Sequence, residues 1–175
     1  MKKTRVLSRV CSFLVATVLA VVVLTNSGAA EASPVGGRLG LGIINTFQGT
    51  GDGPTGLNLV YDGGAWHVDA ALALAGINDD SQTNLGAHAW FHLREGSASD
   101  FSIGGGVGWY RFSPDGPDES SSSLGIDLGF QIRVFVTANV AVGARAGLLV
   151  LSGDGPDGFV LGGEPVGAFS LTYFF

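Results

Sequence analysis

The chain has 175 residues, 46% of them hydrophobic, with 29 glycines, one cysteine and a formal charge of −6. That length suits one domain, and the acidity excludes a nucleic-acid-binding surface, which needs clustered cations to meet phosphates. Cys11 stands alone in the sequence, so no disulfide framework is available.

Lys2, Lys3, Arg5 and Arg9 precede an apolar run from Val10 to Thr25, and Ala30-Glu31-Ala32 places small residues at both positions a signal peptidase inspects. Residues 1–32 are therefore read as a cleaved export signal and 33–175 as a single domain. The run is shorter than the roughly 20 apolar residues of a membrane-spanning helix, which argues against an uncleaved anchor. Removing four of nine Lys plus Arg and one of fifteen acidic residues leaves five arginines, fourteen acids and no lysine, a balance of −9.

Period-two alternation then recurs between turn signals. Leu39, Leu41 and Ile43 alternate with glycines, and Gln48 to Pro54 breaks the run. Leu57, Leu59 and Tyr61 follow, closed by Asp62-Gly63-Gly64. Trp66, Val68, Ala70, Leu72 and Leu74 stand opposite His67 and Asp69, with a break at Asn78-Asp79-Asp80-Ser81. Leu85, Ala87, Ala89, Phe91 and Leu93 stand opposite His88, Trp90, His92 and Arg94, and Glu95-Gly96-Ser97 turns the chain. The fifth run alternates Phe101, Ile103, Val107 and Trp109 with glycines. After an acidic loop, Leu124 to Val134 stands opposite Asp127, Gln131 and Arg133. Val140 to Val150 stands opposite Arg145, and the last run carries Phe169, Leu171, Tyr173 and Phe175 on one face.

These are eight strand candidates, most near the roughly 9–11 residues that a tilted strand needs to cross a bilayer. Their apolar faces carry no charge, and the charges and histidines share the other faces with glycine. Tight turns alternate with longer acidic loops. Tyr61, Trp66, Phe101, Tyr173 and Phe175 fall near one predicted end and Phe47, Trp109 and Phe159 near the other, as interfacial girdles do.

In its last strand, with alternating apolar residues up to Phe175, the sequence resembles the small outer-membrane β-barrels of Gram-negative bacteria, of OmpA, OmpX or OmpW type. The resemblance implies an all-β fold, an eight-stranded antiparallel up-and-down transmembrane β-barrel in the outer membrane. It also implies contact with outer-membrane lipid and lipopolysaccharide, and an assembly signal at Phe169, Leu171, Tyr173 and Phe175 read by the barrel insertion machinery. A monomer is expected. Lipid A deacylases and palmitoyltransferases share this architecture. The deacylases carry a His-x-Ser pair on a late strand, whereas His67, His88 and His92 are early and none lies two residues before a serine. The segment before the first strand is also too short for the amphipathic helix of a palmitoyltransferase. The expectation is a non-enzymatic barrel with a structural or surface role: envelope integrity, adhesion or lipopolysaccharide contact. The alternative is a narrow channel, since inward glycines leave little side-chain volume in the lumen.

Three candidate sites follow. Asp52, Asp79, Asp80, Asp115, Asp118, Glu119, Asp154 and Asp157 fall in the predicted outer loops, where flexible carboxylates suit calcium or magnesium. Asp-Gly-Pro recurs there at Asp52, Asp115 and Asp154, and each of its residues also favours a turn. Asp127 and Arg145 are expected as an ion pair across neighbouring strands, closing the interior. His67, Asp69 and His92 are expected to cluster in the lumen, with His67 opposite His92 and Asp69 opposite Trp90. Two imidazoles and a carboxylate suit a transition metal, or else form a hydrogen-bonded network.

Overall fold

The structure is a computed structural model that describes residues 35–46, 55–77, 80–114, 120–154, 158–161 and 168–175. The expected export signal, residues 1–32, lies outside the described residues, as do Phe47 and, of the acidic loop residues, Asp52, Asp79, Asp115, Asp118, Glu119 and Asp157.

Among the described residues, nine strands form one sheet: β1 (Arg38–Thr46), β2 (Thr55–Asp62), β3 (Trp66–Ile77), β4 (Asp80–Glu95), β5 (Ser99–Ser113), β6 (Ser121–Thr137), β7 (Val140–Gly153), β8 (Gly158–Leu161) and β9 (Ala168–Phe174). Each strand from β1 to β7 pairs antiparallel with the next, and β9 pairs with both β1 and β7, which closes the ring. β8 pairs with the far end of β7, from Leu148 to Leu151. β8 and β9 thus share one stave, and the barrel has eight.

Alternation decides which way each residue faces. Leu41, Leu57, Leu74, Leu85, Ile103, Ile126, Leu128 and Leu171 are exposed on the outer wall, while Asn58, Asp62, His67, Asp69, Asp100, Gln131 and Arg133 are buried in the lumen. A barrel in water buries its apolar face; this one is reversed, as a barrel surrounded by hydrocarbon must be. Aromatic rings band the outer wall near the tight turns, where Tyr61 and Trp66 lie 5.7 Å apart and Tyr173 and Phe175 are exposed. Trp109 and Phe159 lie in the band towards the other end.

Residues 63–65, 96–98 and 138–139 connect strands at one end, called here the tight-turn end. Gly64 takes φ 94° there, and its N–H donates to Asp62 Oδ1 at 2.9 Å, so the turn needs a residue without Cβ. Beneath this end Val35, Val60, Ala141 and Phe174 form a small apolar plug, with Phe135 packed against it. At the loop end the hairpins run long: β4, β5 and β6 have 16, 15 and 17 residues. Crossing needs only about 9–11, so Arg111 and Ser121 to Ser123 lie beyond the apolar band.

The structure extends the β3–β4 hairpin further than the sequence suggests. β3 continues to Ile77 and β4 starts at Asp80, so Asp80 belongs to a strand rather than a loop. Asp154 lies just after β7, exposed, with its N–H donating to the Ser122 carbonyl at 2.9 Å.

Leu128 is 65% exposed on the outer wall near the middle of β6. Leu128→Arg is expected to cost roughly 2–4 kcal/mol of folding free energy in a bilayer. Urea titration of the barrel refolded into vesicles measures this, with Leu128→Ile as the neutral control.

Candidate functional site in the barrel lumen

Two polar networks fill the lumen, separated by one indole. The first lies at the tight-turn end. Arg133 on β6 donates from Nη2 to Asp62 Oδ2 on β2 at 2.6 Å and from Nε to Asp100 Oδ2 on β5 at 3.0 Å. Ser102 Oγ also donates to Asp100 Oδ1, at 3.3 Å. The guanidinium carbon sits 5.5 Å over the Phe135 ring. Beside this group, His67 Nδ1 lies 2.7 Å from His92 Nε2. The outer nitrogen of each ring faces an acceptor: His67 Nε2 donates to Gln131 Oε1 at 2.6 Å and His92 Nδ1 to Glu95 Oε1 at 3.1 Å.

The second network lies nearer the middle. His88 Nε2 is 3.0 Å from Asp127 Oδ2, and His88 Nδ1 is 3.2 Å from both Asp69 Oδ1 and Arg145 Nη1. Arg145 Nη1 reaches Asp69 Oδ1 at 3.4 Å, and the Trp90 indole N–H donates to Asp69 Oδ2 at 2.7 Å. Trp90 stacks between His67 and His88, with ring centroids 6.3 and 6.0 Å away. On its loop side lies a cavity of about 60 Å³, lined among others by Asn84, His88, Tyr110, Asp127 and Arg145. That is room for a few waters.

The sequence pattern placed these side chains in the lumen, but the structure groups them differently. β3 and β4 pair two residues out of step with the expected register, so His67 faces Trp90 and Asp69 faces His88. The paired turn is centred earlier than Asp79-Asp80, because both strands run on to Ile77 and Asp80. His67 and His92 still meet, as diagonal neighbours. Asp69 leaves their cluster for the second network, and Asp62 takes its place: ligand atoms of Asp62, His67 and His92 all lie within 4.8 Å of one another. Asp127 and Arg145 are not direct partners. Their strands pair Asp127 with Leu149 and Gln131 with Arg145, and His88 stands between the two charges.

Sequence reasoning put His88 and Arg133 on inward faces without assigning them to a site, and it missed four more participants. Asp62 reads as part of a turn, Asp100 precedes the alternating run, Gln131 carries no charge, and Glu95 falls in a turn triplet. Glu95 reaches His92 because β4 carries a bulge between His92 and Arg94. The extra residue reverses the alternation, so Glu95 pairs with buried Asp100 and shares its lumen face. The outward face of β9 is as expected, with Leu171, Tyr173 and Phe175 exposed and Phe169 partly so.

This closed barrel is similar to the N-terminal β-barrel domain of OprF from Pseudomonas aeruginosa, with a TM-score of 0.56 and 10% identity over 80% of this chain and 98% of that one. The chain has the fold of a small outer-membrane β-barrel. A second similar structure is Ail, the attachment invasion locus protein of Yersinia pestis, with a TM-score of 0.47 and 21% identity over 79% of this chain and 97% of that one. No family model and no curated protein matches the sequence.

Within this outer-membrane-type barrel Arg133 pairs with two carboxylates, and both it and they are almost fully enclosed. Arg133→Leu is expected to cost about 3–5 kcal/mol, since it leaves buried charge uncompensated. Adding Asp62→Asn is expected to return part of that loss. Urea titration of both variants measures the difference.

Proposed function

We propose that the protein is a non-enzymatic integral outer-membrane barrel with a structural or surface-interaction role. Its tight-turn end faces the periplasm and its long hairpins face outwards. One observation carries this reading: the outer wall is apolar while the lumen is filled by interlocked side chains rather than left as a path. Trp90 and Phe174, 2% and 0% exposed, pack across the lumen at two levels. The inward glycines make room for rings instead of water. A Cβ on Gly106 would overlap the His88 ring, lying 2.7 Å from its Cγ.

The surplus length of β4 to β6 supports a surface role, because it lifts those hairpin ends past the apolar band towards lipopolysaccharide and whatever the cell touches. Asp80 and Asp154 lie at that end, where calcium or magnesium can bridge carboxylates to anionic lipid. All three histidines are hydrogen-bonded inside the lumen, away from the lipid face where a lipid A-modifying site must open. The outward face of β9, with Phe169, Leu171, Tyr173 and Phe175, is the element offered to the insertion machinery.

Reconstituted into planar bilayers, the wild-type barrel is expected to give no reproducible current steps; steps of fixed size would favour the channel reading instead. Phe175→Ser is expected to impair assembly in cells by far more than it impairs refolding in detergent, read as the fraction of heat-shifted band on a gel. Equal loss in both assays would reduce Phe175 to an interfacial anchor.

A further inference from the structure

The His67–His92 contact poses a problem that its partners sharpen. Gln131 Oε1 and the Glu95 carboxylate accept hydrogen bonds, so the outer nitrogen of each imidazole carries its proton. Arg133 Nη2 lies 3.1 Å from His92 Nε2 and can only donate. The two inner nitrogens therefore turn lone pairs towards each other at 2.7 Å. Neutral rings repel in that arrangement. The Arg133 guanidinium already meets His92 from one side, and a proton or a metal ion between the two rings would relieve that repulsion.

The surroundings favour a divalent ion. Asp62 and Asp100 pair with Arg133 and Glu95 with His92, so three carboxylates share the single permanent positive charge of Arg133, which leaves two negative charges to balance. Asp62 also supplies a third ligand atom, within 4.8 Å of a ring nitrogen of each histidine. Both rings already have the outer-shell partners that hold a metal-binding histidine in its tautomer, a carboxylate for one and an amide oxygen for the other. Arg133 Nη2 now spans Asp62 and His92, but the guanidinium can release them and stay anchored, since Nε and Nη2 both reach Asp100, at 3.0 and 2.8 Å. Its Nη1 is buried with no hydrogen-bond partner among the described residues, so the present arrangement leaves one donor unsatisfied.

We propose that His67 Nδ1, His92 Nε2 and the Asp62 carboxylate form a binding site for a transition-metal dication of zinc type at the tight-turn end of the lumen, with Glu95 and Gln131 as outer-shell residues and Arg133 withdrawing onto Asp100. Two nitrogens at about 2.0–2.1 Å from a tetrahedral ion stand about 3.3 Å apart, so the rings need to separate by only about 0.6 Å. A fourth position is left for water. Glu95, 46% exposed at its side chain, leads in from the mouth.

The test uses the full folded barrel in detergent, stripped with chelator and titrated with cobalt as the visible probe and zinc as competitor. Ligand-field bands are expected to saturate at one equivalent and to vanish on adding zinc. His67→Gln and His92→Gln are each expected to weaken binding at least tenfold, and Glu95→Ala about tenfold. Asp154→Asn, at the opposite end, is expected to leave it unchanged. Absence of bands in the wild-type barrel, or affinity unchanged from wild type in the two histidine variants, overturns the proposal. X-ray absorption of the zinc-loaded wild-type barrel keeps the test independent of variant folding: two imidazoles in the first shell support the site, and oxygen ligands alone overturn it.

Discussion

The pairing of β1 with β9 is the contact on which the molecule depends. Gly40 meets Phe174 and Thr46 meets Ala168 across that seam. Without it the sheet has two open edges whose N–H and C=O groups would face hydrocarbon, at a cost of several kcal/mol for each unsatisfied group. With it the ring closes through β1, β9 and β7, and the side chains are divided between a lipid face and a lumen. The reversed distribution of apolar and polar residues is a consequence of closure, since neither surface has meaning in an open sheet.

Closure at eight staves leaves an interior that side chains can just fill. That interior nevertheless encloses ionisable groups, among them Asp62, His67, Asp69, His88, Asp100 and Arg133. Ions enclosed in this way are tolerated only when matched. Arg133 reaches from β6 to Asp62 on β2, and Arg145 from β7 to Asp69 on β3, so these contacts span the lumen rather than follow the sheet. Ladder hydrogen bonds hold each strand to its neighbours, whereas the arginines hold opposite walls to each other. The cross-section is fixed by the second set.

The architecture was legible because a period of two over long segments survives small errors. Moving a strand by two residues keeps every side chain on its face, so the inward assignment of His67, Asp69, His88 and Trp90 holds although the β3–β4 register was misjudged. Which inward residues touch is a finer question, and it fails in part under the same shift: Asp69 keeps Trp90 but meets His88 rather than His92, and the place beside His67 went to Asp62. The bulge after His92 was beyond reach, because a strand with one extra residue has no local signature when its neighbours are Leu93 and Arg94. Asp62 and Asp100 were hidden for another reason. Each sits at a strand end beside turn residues, where an aspartate is ordinarily explained by the turn itself.

The stacked rings of His67, Trp90 and His88 divide the lumen into unequal parts. Below the indole the space is taken by ion pairs and the apolar plug; above it lies the small cavity. Water entering from the loop side therefore meets a dead end. The Trp90 indole proton, held by Asp69 at that boundary, can exchange with solvent only when the stack parts or the cavity water reaches past the carboxylate. Its exchange is a clock for the breathing of the whole cylinder, kept by one hydrogen at its centre.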